Sequence, residues 1–241
     1  SLFLGFAIIM IGDRAQSLKD GIHLLSEAMF NIINMIVGFT PIGVFGLMSV
    51  TMAKYGTAIF GPVLKFILTD YISSITMSVV VYSILLTVFA RVSPLMFWKK
   101  AFESWIIAFS TCTSSAALPV SMKIAPKKMG ASSDISNFVL PFGCTAQMNG
   151  TCAYFGVVIL FAAQLYGVQL SIQQQVMLVI QATFLSVGCA ATPQIGLIIS
   201  LTLMAQMGLP LDAYALVAGI YRIVDQIHTA TNSVGDLVCT V

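Results

Sequence analysis

Residues 111–119 read TCTSSAALP, and the charges flanking them decide the fold. Arg91, Lys99 and Lys100 precede the stretch, and Lys123, Lys127 and Lys128 follow it. Lys and Arg near membrane segments favour the cytoplasmic side, so both flanks belong on the same face of a bilayer. One crossing takes ~20 apolar residues, and the interval from Lys100 to Lys123 is too short for two. The segment is therefore expected to enter and leave from one side, as a re-entrant hairpin whose tip, Thr113–Ser115, stops inside the membrane. Irregular backbone at that depth survives only where it is packed in protein or lines a cavity. Taken alone, the three hydroxyl residues could equally serve ordinary helix packing.

Composition supports a membrane reading. The 241 residues carry 11 Lys+Arg and 9 Asp+Glu, a net charge of +2, with 58% hydrophobic against 8% charged residues. Mean hydropathy is +0.96. A soluble domain carries about a quarter charged residues, so a water-soluble fold, disorder, collagen and coiled coil are all excluded. The small net charge gives no footing for nucleic acid. Five cysteines without a CxxC pair offer neither a disulfide framework nor a metal site. The expectation is an all-α membrane protein with capacity for roughly six to eight crossings. Ser1 and Val241 both lie inside apolar runs, so the chain reads as part of a longer protein.

Apolar segments fall at 1–12, 22–53 (carrying Pro41), 58–90, 96–122, 134–166, 171–209 and 212–241. The 77 positions between Asp134 and Asp212 hold no charge. Two further clusters of small and polar residues interrupt them, GCTAQMNGT at 143–151 and GCAATPQIG at 188–196. The first is expected to break a helix. The second is expected to form the tip of another re-entrant hairpin.

The last segment contains DQIHTATNSVGDL, residues 225–237. Asp225, Thr229, Asn232 and Asp236 follow at +4, +3 and +4, placing them at about 0°, 40°, 340° and 20° on a helical wheel, with His228 at about 300°. A carboxylate at the bilayer centre costs from ~2.5 to beyond 10 kcal/mol. The stripe should therefore face a cavity where a cation, an ammonium group or a proton compensates it. The bland alternative is a structural polar network, with Arg222 pairing Asp225 across one helical turn.

These stretches resemble the dicarboxylate/amino acid:cation symporter family, which includes the glutamate and neutral amino acid transporters. TSSAALPVSMK resembles that family's serine-rich hairpin tip. VLPFGCTAQMNGTCAYFGVVILFAAQLYGV resembles its broken seventh helix, with QMNGT standing for Asn-Met-Asp-Gly-Thr. SVGCAATPQIGLI, the following MGLP, and DQIHTATNSVGDL complete the set in family order. The resemblance runs from the end of the family's fourth helix through its eighth.

It implies a glutamate-transporter-like, elevator-type architecture. Residues 1–56 would be a partial scaffold and 57–241 a transport domain. That domain comprises a helix, hairpin 1 (about 94–130), the broken helix (about 134–166), hairpin 2 (about 171–209) and the last helix (about 212–241). By motif position, Asp225 would accept the substrate ammonium, and Thr229 and Asn232 would contact the substrate, Asn232 at its carboxylate. Thr113, Ser114, Ser115, Thr151, Ala190, Ala191 and Thr192 would lie around the same ligand. Asp236 would hold sodium with Gly143, Gln147, Asn149 and Asn232, and a second sodium would use carbonyls of Thr145, Ser186, Val187 and Cys189. Sodium suits oxygen ligands from unwound backbone near the midplane. The expected partners are an amino acid, sodium ions and the bilayer, in a homotrimer of the plasma membrane (the inner membrane in a bacterium), with no organic cofactor and no catalysis.

The departures shape the substrate. His228 stands where acidic amino acid transporters keep an Arg, so a permanent cationic fork gives way to an imidazole that can be neutral. Cys112 stands where some relatives have another Arg. A neutral or polar amino acid is therefore expected, with an acidic one open if His228 is protonated. Asn149 and Gln147 replace the family's Asp and Asn, which implies fewer coupled sodium ions. Phe155 replaces a proton-linked Glu of vertebrate relatives. A C4-dicarboxylate carrier remains an alternative, though it would leave Asp225 without an amine. So does an ion channel using the carboxylates as a filter. A Ser114–His228 hydrolase lacks any G-x-S-x-G elbow or zinc motif.

Overall fold

A computed structural model describes residues 2–189, 191–192 and 194–241. The described residues are helical, with no strand among them. The chain divides into two compact units, residues 1–46 and 47–241. The first contains α1 (Leu2–Ile11), a single 3-10 turn, α2 (Gln16–Gly38) and the start of α3 (Thr40–Tyr55). The sequence suggested one helix over 22–53, but it breaks at Phe39. Pro41 then falls in the first turn of α3, where a missing N–H costs no helical bond.

The second unit begins within α3, ahead of the boundary expected after residue 56. Its first long helix, α4 (Gly56–Ala90), is long and apolar enough to cross a membrane. Phe60, Leu64, Leu68, Ile72, Ile75 and Val79 are exposed on one face. Asp70, Ser74, Ser78 and Tyr82 are buried on the other. Two π-turns, Met77–Val81 and Leu86–Ala90, interrupt its regular α-helix. An apolar outside and a polar inside invert the pattern of a water-soluble helix.

Next come α5 (Pro94–Thr111) and α6 (Ser114–Ile124), joined at Cys112 and Thr113. Cys112 is left-handed with φ 54°, an uncommon state for a residue bearing a Cβ, and Thr113 is extended. Ser104 Oγ lies 2.7 Å from Ser121 Oγ across the two limbs, and 3.1 Å from Ser233 Oγ. At the lysine-rich end Lys128 Nζ meets Glu103 Oε2 at 2.8 Å. Both partners are half-exposed, so the pair is worth at most about 1 kcal/mol.

α7 (Ser133–Ala146) opens on a Ser132 cap that accepts from Ile135 N–H. After Gln147 and Met148 the chain resumes as α8 (Asn149–Leu165). A second helical pair follows, α9 (Ile172–Val187) and α10 (Ile195–Gln206), separated by 188–194. The break thus falls where the small and polar cluster predicted it, and Ser171 with Gln174 forms a capping box ahead of α9. Finally α11 (Asp212–Thr240) runs unbroken through the centre, touching α4, α5, α6, α7, α8 and α10. Every residue from Ala230 to Val238 is buried.

Candidate functional site

The polar stripe of α11 meets three interruptions: the tip between α5 and α6, the gap between α7 and α8, and the turn between α9 and α10. Together they line one cavity. Cys112, Thr113 and Ser114 come from the first, Met148 and Thr151 from the second, and Ala191, Thr192, Ile195 and Gly196 from the third. α11 contributes Tyr221, Asp225, His228, Thr229 and Asn232. Three helices, α6, α8 and α10, start at this cavity, and none has an acidic residue in its first turn. Helix starts present N–H groups and partial positive charge, which favours an anion there.

Asp225 is 4% exposed. Its Oδ1 lies 2.8 Å from His228 Nε2 and accepts from Thr229 Oγ1 at 3.0 Å. Its Oδ2 is buried with no partner among the described residues. Asp225 therefore offers one uncommitted acceptor at a buried cavity, as an incoming ammonium group requires. Arg222 is exposed, and no ion pair joins it to Asp225. The purely structural Arg222–Asp225 pairing is thus not what the carboxylate does.

His228 is 1% exposed and sits among aromatic rings, 5.1 Å from the ring centre of Tyr154 and 5.8 Å from that of Tyr221. Tyr221 Oη is also 3.3 Å from its Nε2, while Nδ1 has no partner among the described residues. The sequence placed Asp225 and His228 as separate substrate contacts, but the fold makes them a hydrogen-bonded pair. Gly150 packs against the backbone of His228, and Gly196 against Tyr221 Oη, so tightly that a Cβ at either would collide.

Asn232 is also committed more fully than the sequence suggested. Its Oδ1 accepts from Gly150 N–H at 2.7 Å, and its Nδ2 donates to Thr151 Oγ1 at 2.9 Å and Met148 Sδ at 3.2 Å. The amide fastens α11 to the start of α8. Thr113 and Ser115 hydroxyls both donate to Ala191 O, at 2.8 and 3.2 Å, so the two tips touch. Ser115 thereby joins the second tip without lining the cavity. Ala190, also expected near the ligand, lies outside the described residues. Water-sized spheres can centre in about 20 Å³ of the cavity, room for about one water. The tips must part before an amino acid can enter.

A second cavity, with about 310 Å³ for water centres, is lined by Gly143, Gln147, Asn149, Asp236 and neighbouring apolar residues. Asp236 Oδ1 and Gln147 Oε1 are buried without partners among the described residues. A Cβ on Gly143 would meet Asp236 Oδ1, so glycine alone lets the carboxylate reach this break. Uncommitted carboxylate and amide oxygens fit a hard cation. No group of three His, Cys, Asp or Glu able to hold a metal occurs among the described residues, which leaves the transition-metal donor sets unsupplied. Asn232 does not line this cavity. Of the second expected sodium set, Ser186 and Cys189 are buried, whereas Thr145 and Val187 are exposed.

Sequence reasoning missed Tyr154 and Tyr221, which enclose His228, and the buried stripe Asp70, Ser74, Ser78 and Tyr82 of α4. Ser78 Oγ lies 3.0 Å from Thr231 Oγ1, and Tyr82 Oη donates to Thr231 O at 3.1 Å. Gln147 and Asn149 amides donate to Tyr82 Oη at 3.3 and 3.4 Å. The +4 spacing of four polar residues in an apolar segment was the available signal.

Discontinuous helices and unpaired buried carboxylates inside an apolar exterior define a helical integral membrane protein built to bind small charged solutes. The chain belongs to the Sodium:dicarboxylate symporter family, whose model matches residues 1–241. It is 34% identical over 217 residues to the proton/glutamate-aspartate symporter of Escherichia coli (strain K12), covering 88% of this chain and 48% of that protein. Against the proton/sodium-glutamate symport protein of Geobacillus stearothermophilus it is 30% identical over 236 residues, covering 98% and 56%. Against human excitatory amino acid transporter 2 it is 30% identical over 238 residues, covering 97% and 42%. The chain spans about half the length of these curated relatives.

Proposed function

We propose that the protein is a secondary active symporter that moves an amino acid together with sodium. The uncommitted Oδ2 of Asp225 carries this reading, since it is a buried acceptor at a cavity bounded by three helix starts. An amino acid zwitterion matches that arrangement, with ammonium on Asp225 and carboxylate toward the N–H ends of α6, α8 and α10. Asp236 with Gln147, Gly143 and Asn149 takes the cation, and Thr145, Ser186, Val187 and Cys189 take a second. Residues 57–241 carry the site and move, elevator fashion, against a scaffold that includes 1–56, in a homotrimer of the plasma membrane. The elevator and the trimer rest on family resemblance. The protein is a carrier and not an enzyme.

The substrate is a neutral or polar amino acid, because His228 is paired with Asp225 and packed between tyrosines instead of presenting a free cationic fork. A second reading, an acidic amino acid, is favoured by the printed names of the relatives, which are glutamate and aspartate symporters. Thermal unfolding of the purified protein with a panel of amino acids, in sodium and in potassium, tests both. The expected result is a higher midpoint with neutral or polar amino acids in sodium only. Stabilisation by glutamate and aspartate alone selects the second reading. Stabilisation by succinate but by no amino acid would overturn the amino acid assignment.

A further inference from the structure

Asp70 has no place in the site described above. It is wholly buried on α4, and neither carboxyl oxygen has a hydrogen-bond donor among the described residues. The helices packed against α4 are α8 and α11. The titratable groups facing Asp70 are Tyr154 from α8, and Tyr221, Asp225 and His228 from α11, with Tyr71 beside it on α4. None of these is a Lys or Arg, and α8 contains no acidic residue. A bare carboxylate so placed is costly unless something neutralises it.

Charge counting indicates what does so. Asp225 holds a hydrogen-bonded imidazole at 2.8 Å and a hydroxyl at 3.0 Å, contacts that suit its ionised form. With Asp70 also ionised and His228 neutral, this buried group carries two negative charges. An amino acid ammonium removes one. A single proton, resting on Asp70 or on His228, removes the other. His228 Nδ1 is buried without a partner and can receive it. Below Asp70, Ser74, Ser78 and Tyr82 continue the buried stripe toward Gln147 and Asn149, which line the second cavity. Hydroxyls along α4 thus give the proton a polar route from that cavity.

We propose that Asp70 and His228 form a proton-binding site that loads with the amino acid, taking one proton from water and holding it on the Asp70 carboxyl or the His228 imidazole. This rests on the symport reading, and it makes the proton a ligand additional to sodium.

The test is proton counting. Purified protein in weak buffer with a pH indicator, in sodium, receives the amino acid that stabilises it best. The expected wild-type result is net proton uptake on binding near neutral pH. Asp70→Asn, which keeps shape and removes the titratable group, is expected to bind the amino acid with its proton uptake lost. Uptake in Asp70→Asn equal to that of the wild type would overturn the proposal. Should that variant fail to fold, wild-type affinity decides. From about pH 6 to 8 it is expected to weaken as pH rises, approaching about tenfold per unit where the site is empty of its proton, and a flat profile overturns the proposal. Amino acid binding without proton uptake removes this proposal and leaves symport standing, whereas absence of any amino acid binding removes both.

Discussion

Asn232 Oδ1 accepts the backbone N–H of Gly150 at 2.7 Å, so one side-chain amide on α11 holds the first turn of α8 in register. The same amide reaches Thr151 Oγ1 and Met148 Sδ. Asn232→Ala leaves a buried N–H unpaired, a loss of about 1–3 kcal/mol. The expected outcome is a lower thermal unfolding midpoint without ligand, measured in detergent, together with weaker sodium stabilisation as the break between α7 and α8 loosens.

Asp225→Asn is expected to leave the fold intact and abolish amino acid binding. The amide oxygen can still accept from Thr229 and His228, so the local bonds persist while the charge is gone. Charge-assisted hydrogen bonds contribute about 1.5–3 kcal/mol, which sets the loss at ten-fold or more. Calorimetric titration measures it, and unaltered affinity would refute the assigned role.

Asp236→Asn is expected to remove most of the thermal stabilisation by sodium, because the second cavity loses its only acidic lining residue. Melting curves against sodium concentration would show the midpoint ceasing to rise. A curve matching that of the wild type would locate the cation elsewhere.

Gly235 lies where an added Cβ would collide with Gln147 Nε2 and Tyr82 Oη. Gly235→Ala forces those groups aside at a cost of about 1–3 kcal/mol. Both the midpoint and the apparent sodium affinity are expected to fall together. A variant that melts and binds sodium like the wild type would show that this approach tolerates a methyl group.

Much of this arrangement was legible in the sequence because membranes punish exceptions. Small and polar residues at 111–119, 143–151 and 188–196 mark breaks in otherwise apolar segments, and the chain breaks within each. The stripe from Asp225 to Asp236 was readable because helical spacing alone puts those residues on one face. What spacing on one helix does not reveal is the partner across the interface. The pairing of Asp225 with His228 depends on tyrosines from α8 and α11 that look like ordinary apolar packing in the sequence. Asn232 turned out to be committed to Gly150 because only the folded chain shows how closely α8 approaches α11. Asp70 escaped notice because a lone acid in an apolar segment forms no pattern until Ser74, Ser78 and Tyr82 are read with it. Pro41 misled only over α3, where it starts a helix and does not bend one.

The contact of Thr113 and Ser115 with a single carbonyl has a consequence for how the solutes would cooperate. Each hydroxyl has one hydrogen to give, and both are spent on Ala191 O. A carboxylate arriving at the first tip competes for those same hydrogens, and each one it wins leaves the Ala191 oxygen poorer in donors. A carbonyl stripped of both attracts positive charge. Anion capture on one loop would thereby prime the opposite loop for a metal ion, coupling the two cargoes through the reassignment of two hydrogens.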